Sequence, residues 1–166
     1  GTISAVTHSV TNLDLTGLND GTLTVSVTLT DASGNAGSAV TGTATKDIVA
    51  PSGYTAAFTT TPANLSNYTA AAFQFAGAEV GAGYSYTISS SGGGTNVTGS
   101  GTIATATDAV SGIDLTSLND GTLTLSVTLT DPSSNAGSAV TNTATDKDVV
   151  APTITSVTTV DNTYEP

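Results

Sequence analysis

The sequence predicts an all-β chain of seven-stranded Greek-key sandwiches, repeated in tandem and held without disulfides. Three observations carry this. Apolar and hydroxyl residues alternate over long runs, turn-forming residues interrupt those runs at short intervals, and the text repeats at a spacing of 100 residues, Leu13-Asp14-Leu15-Thr16 returning as Ile113-Asp114-Leu115-Thr116. Between Gly1/Gly101 and Thr45/Thr145 about seven positions in ten are identical. A solenoid repeat runs about 20 to 50 residues, so a period this long fits whole sandwich domains in series.

The repeat sets the expected domains. Residue 1 aligns with residue 101, so residues 1–50 are expected to form the C-terminal half of one module and residues 51–151 a complete one. Beyond Pro152 the run Thr153-Ile154-Thr155-Ser156-Val157 differs from Ser52-Gly53-Tyr54-Thr55-Ala56, so residues 152–166 are expected to begin a different Ig-like module.

Within the complete module, residues 121–130 show the strand signal best. Leu123, Leu125, Val127 and Leu129 fall on one face and Thr122, Thr124, Ser126, Thr128 and Thr130 on the other, the period of a half-buried strand. Threonine suits the wet face because its branched Cβ favours extended backbone. Similar runs place strands A to G near 53–60, 68–76, 83–90, 95–104, 107–116, 121–131 and 138–147. Phe73, Phe75, Tyr84, Tyr86, Ile88, Ile113, Leu115, Val140 and Ala144 are the other inward candidates. Seven strands in one such period predict an Ig-like sandwich, lacking the Cys and Trp of antibody domains.

Composition narrows the partners. Thirteen acids face only Lys46 and Lys147, a net charge of −11, with no cysteine, methionine or tryptophan. Nucleic acid and anionic membrane surfaces repel such a chain, whereas divalent cations are attracted to it. No apolar run approaches the roughly 20 residues that span a bilayer, so no membrane insertion is expected. Hydrophobic residues make up 37% and are patterned, which is not the signature of disorder.

The runs Asn119-Asp120-Gly121-Thr122-Leu123-Thr124, Thr130-Asp131-Pro132-Ser133-Ser134-Asn135-Ala136-Gly137 and Val149-Val150-Ala151-Pro152 resemble the bacterial Ig-like repeats of very large secreted surface adhesins. Asp31-Ala32-Ser33-Gly34-Asn35 is closer still to that family's Asp-x-x-Gly-Asn pattern. The resemblance implies an extracellular, cell-surface extender stalk, joined to neighbouring Ig-like modules and often stiffened by calcium at the junctions.

The acids themselves suggest where calcium would sit. In an Ig-like topology Glu79, Asp131 and Asn135 lie in the BC and FG loops, at the pole where the linker bearing Asp47 enters, and Asp20 lies in the EF loop of the preceding unit. Asp146 and Asp148 form a second candidate pair at the exit linker. Calcium takes six to eight oxygens in tolerant geometry, which suits such a set. The competing reading is that these residues cap turns through their own backbone.

Other features carry less. His8, the lone histidine, aligns with Asp108 and reads as a solvated strand residue. A Lys-Asn isopeptide bond at Lys46 or Lys147 finds no buried Asp or Asn evident beside the lysine. Catalysis finds no nucleophile and base pair, and Ser91-Gly92-Gly93-Gly94-Thr95 lacks the lysine and helix of a phosphate loop. The sequons at Asn64, Asn67 and Asn96 are read as unmodified. The function expected is a non-enzymatic spacer. Its rivals are a subunit of an extracellular filament or sheath, with other copies of the chain as partners, and a carbohydrate- or surface-binding module built on aromatic residues.

Overall fold

The computed structural model describes residues 1–158, the side chain of Ala144 excepted. Ala144 as an inward residue, and residues 159–166 of the expected following module, therefore lie outside the described residues. The chain divides into two compact units, Gly1–Val49 and Ala50–Pro166, and its described regular structure is all strand.

The first unit holds one antiparallel hairpin, β1 (Gly21–Val27) and β2 (Val40–Lys46), in unbroken register from Gly21↔Lys46 to Val27↔Val40. Its apolar face is open: Val25, Val27, Leu29 and Val40 are all more than half exposed.

The second unit is a two-layer sandwich. One sheet, in the order β3-β5-β8, comprises β3 (Thr55–Phe58), β5 (Ala71–Ala76) and β8 (Ala109–Ile113). The other, in the order β4-β10-β9-β6-β7, comprises β4 (Ala63–Asn64), β6 (Gly83–Ser90), β7 (Val97–Thr102), β9 (Gly121–Thr130) and β10 (Val140–Asp148). Leu123, Leu125, Val127 and Leu129 are fully buried, as their alternation requires, together with Phe73, Phe75, Ile88 and Leu115. Phe73 meets Tyr86 across the sheets edge to face, ring centres 5.2 Å apart, the geometry that an aromatic quadrupole favours.

One expectation changes. Strand A is split, which gives this unit eight strands: β3 pairs with β5, while β4 runs parallel to β10, with Lys147↔Ala63 and Asp148↔Asn64. Pro62 lies between the two pieces and has no N–H for a ladder, and the N–H groups of Thr59 and Thr60 both turn to the carbonyl of Ala72. The strand expected as D, β7, pairs with β6 and so extends the larger sheet. Its inward positions opposite Tyr86 and Tyr84 are Gly99 and Gly101. A Cβ on Gly99 would stand 2.6 Å from the Tyr86 ring, so glycine leaves the space in which the two rings lie.

The outward face of the larger sheet is a lattice of hydroxyls. Ser126 lies between Thr141 and Thr87, which in turn pairs with Thr98, and in the next row Thr128 pairs with Ser85 and Ser85 with Ser100. Among β3 to β10, charged residues occur only in the last three positions of β10.

Candidate functional site

Three of the acids that the sequence singled out, Asp131, Asp47 and Asp148, are held by their own loop or linker. Asp131 is buried in the connection between β9 and β10. One carboxylate oxygen accepts the backbone N–H of Asn135 at 2.8 Å, and the other accepts the Asn135 side-chain amide at 2.8 Å. Burial works to raise its pKa, but the bonds from Asn135 and from the N–H groups of Ser133 and Ser134 outweigh it and hold the carboxyl below its ordinary value. Asp31 and Asn35 make the same pair in the first unit, at 2.8 and 2.9 Å. Both loops are left-handed at the same position, where Gly34 takes a φ of 90° and its counterpart Ser134 is forced to 73°.

The linkers show the same economy. Asp47 accepts the N–H of Val49 at 3.1 Å and Asp148 that of Val150 at 3.0 Å. Asp146 is exposed on β10, in a shallow groove with Thr61, Thr122, Thr143 and Thr145. Glu79 is exposed in the loop between β5 and β6. The structure therefore brings Asp131 and Asn135 together, and among the described residues it gathers no group of three or more His, Asp or Glu side chains.

The lysines, which sequence reading set aside, occupy the most constrained polar positions. Lys147 is almost wholly buried, its ammonium 2.9 Å from the carbonyl of Leu118, 3.1 Å from Asp120 and 5.4 Å above the Tyr68 ring. The acid beside this lysine is only partly buried, its side chain 30% exposed, and the other oxygen of Asp120 accepts the N–H of Val149 at 3.2 Å. These two bonds hold the Asp120 carboxyl below its ordinary pKa, the lysine's being the larger influence. The first unit repeats the arrangement: Lys46 donates to the carbonyl of Leu18 at 2.6 Å and pairs with Asp20 at 3.3 Å, and Asp20 accepts the N–H of Ile48 at 3.1 Å.

An insertion shows how firmly this register is kept. The first unit reads Thr43-Ala44-Thr45-Lys46 and the second Thr143-Ala144-Thr145-Asp146-Lys147, one residue longer. A bulge between Asn142 and Thr145 absorbs the extra residue, so Lys147 still stands opposite Gly121 as Lys46 stands opposite Gly21. The bulge turns Thr145 inward, opposite Leu123, where its hydroxyl is buried with no partner.

Among the described residues the aromatics do not form a flat outer platform. Tyr54, Phe58, Phe73 and Phe75 are buried, and Tyr84 and Tyr86 are partly buried against the core. Desolvation raises the pKa of both Tyr84 and Tyr86. Tyr54 ties layers together, its hydroxyl donating to the carbonyl of Ser138 at 2.6 Å and accepting the N–H of Leu129 at 3.1 Å. Nothing in the sequence around Tyr54 marks it for this role.

No protein-family model matches the chain, and no curated protein matches it. Among solved structures it is similar to the crystal structure of a tetra-tandem repeat in the extending region of a large adhesion protein, with 26% identity and a TM-score of 0.44. The similarity covers 83% of this chain and 33% of that one, so the chain spans about a third of that structure's length.

Proposed function

We propose that the chain is a stretch of non-enzymatic Ig-like spacer modules from a secreted bacterial surface adhesin, extending a distal binding domain and stiffened by calcium at its junctions. The observation that carries the spacer reading is the duplicated text itself. It builds the same hairpin twice, with the same loop closure at Asp31/Asn35 and Asp131/Asn135 and the same lysine register at the end. A unit copied with so little change is suited to length and valency. On this reading residues 1–50 are half of a module whose other strands cover Val25, Val27 and Leu29, as β3, β5 and β8 cover their counterparts in the second unit. A strand of about ten residues at roughly 3.3 Å each gives about 30 Å of reach per module.

Small-angle scattering of a protein with two complete modules, with calcium and with chelator, tests both parts. A maximum dimension near twice the single-module value supports the spacer, and a collapsed, compact pair overturns it. Lengthening or stiffening with calcium, with a concentration-dependent rise in melting temperature, supports the metal at Asp47, Glu79, Asp131 and Asn135. No response returns those residues to loop closure alone.

The open apolar face of the first unit favours a second reading, a subunit of an extracellular filament in which another copy covers that face. Sedimentation of the 166-residue chain separates the two: concentration-dependent self-association supports the filament, and a monomer at high concentration excludes it.

A further inference from the structure

We propose that the pairs Asp120–Lys147 and Asp20–Lys46 form a metal-free latch that fixes the direction in which the linker leaves each module. The inference deepens the spacer reading and rests on it only for the latch's purpose. Each aspartate uses its two oxygens for different tasks, one taking the lysine of the last strand and the other taking the N–H of the residue two places further along, Val149 or Ile48. The lysine in turn is anchored on the carbonyl of Leu118 or Leu18, in the loop that carries the aspartate. A carboxylate between an ammonium and an amide is a fixed two-point bracket, and charge-assisted bonds of this kind are stronger than neutral ones.

Three features say that the bracket is selected geometry and not an incidental surface pair. Lys147 has a side chain only 5% exposed, and lysine is almost never buried unless paired. The bracket recurs in the first unit, where the Lys46 side chain is 13% exposed. The inserted residue in β10 is absorbed upstream, leaving the lysine in register and the Thr145 hydroxyl buried without a partner. Directly beyond the bracket, Asp148 and Asp47 turn back onto the N–H groups of Val150 and Val49, so two successive linker amides in each unit are taken by aspartate side chains.

The test is amide hydrogen exchange by NMR on the full 166-residue chain, wild type against Asp120→Ala and the milder Asp120→Asn. The latch predicts that Val149 exchanges on the order of tenfold faster in Asp120→Ala, while the amides of Leu123 and Leu125 in β9 keep their protection, which also shows that the sandwich is folded. Asp120→Asn should fall between the two, because it keeps one acceptor and loses the charge. Adding chelator to the wild type should leave Val149 unchanged. Unaltered Val149 exchange in Asp120→Ala overturns the latch, as does loss of Val149 protection on chelation. Neither result bears on module length, so the spacer reading stands or falls separately on scattering.

Discussion

Leu129 and Leu29 occupy the same place in the repeated text, yet one is fully buried and the other 58% exposed. Replacing each by alanine therefore asks what the surrounding chain contributes to an identical residue. At Leu129 the side chain lies within the core formed with Phe73, Phe75 and Leu125. Leu→Ala at such a site loses transfer free energy and leaves a cavity, about 3–4 kcal/mol together, or roughly 10–20 °C in the melting of a domain of this size. At Leu29 more than half of the side chain is already in water, so the loss is under about 1 kcal/mol and falls within the first unit. Tyrosine emission during urea unfolding separates the units, because residues 1–49 contain no tyrosine while Tyr54, Tyr68, Tyr84 and Tyr86 lie in the second. The Leu129→Ala midpoint should fall sharply at unchanged slope, and the Leu29→Ala curve should overlay the wild type. Equal shifts for the two variants, or a Leu129→Ala loss below about 1 kcal/mol, would refute the assignment of β9 as the core strand of an independent sandwich.

Three further outcomes are expected. Tyr54→Phe strands the carbonyl of Ser138 and the buried N–H of Leu129 and should cost about 1–3 kcal/mol in urea unfolding; a neutral substitution would show that the bridge is idle. Ser134→Gly relieves a left-handed φ of 73° and should raise stability by up to about 1 kcal/mol, measured as an increase in melting temperature, with a decrease counting against the loop geometry. The Asp114, Asp120 and Asp131 carboxyls titrate below their ordinary value in the folded state. Their stabilisation is complete above the unfolded pKa of about 3.9 and is lost as pH falls through the folded values. The melting temperature should thus be flat near neutrality and drop below about pH 4, and a rise on acidification would contradict the hydrogen-bond assignments.

Most of the fold was legible because burial imposes a period that a chain cannot hide. Leu123 to Leu129 declared their face through alternation, and the 100-residue echo declared the module. The split of the first strand was not legible, since the break at Thr59 to Pro62 reads as an ordinary turn and only the pairing of Ala63 with Lys147 shows the change of sheet. The latch was missed for a related reason. A lysine near the end of an acidic, Thr-rich strand looks solvated, and its burial depends on Tyr68 and Leu118, which lie far from it in sequence. Thr145 was missed because the bulge that turns it inward is visible only once the two copies are laid in register.

The hydroxyl lattice on β6, β7 and β9 has a consequence for crowding. Strands β3 to β9 carry no charged residue, so the broad flanks of the second unit hold their water through neutral side chains, chiefly Ser and Thr, while the acids sit in the turns and at the end of β10. Charge repulsion between flanks depends on ionic strength; hydration by neutral hydroxyls does not. Among copies standing side by side, salt-dependent repulsion would therefore come from the turns and the end of β10, while the hydroxyl faces themselves add none.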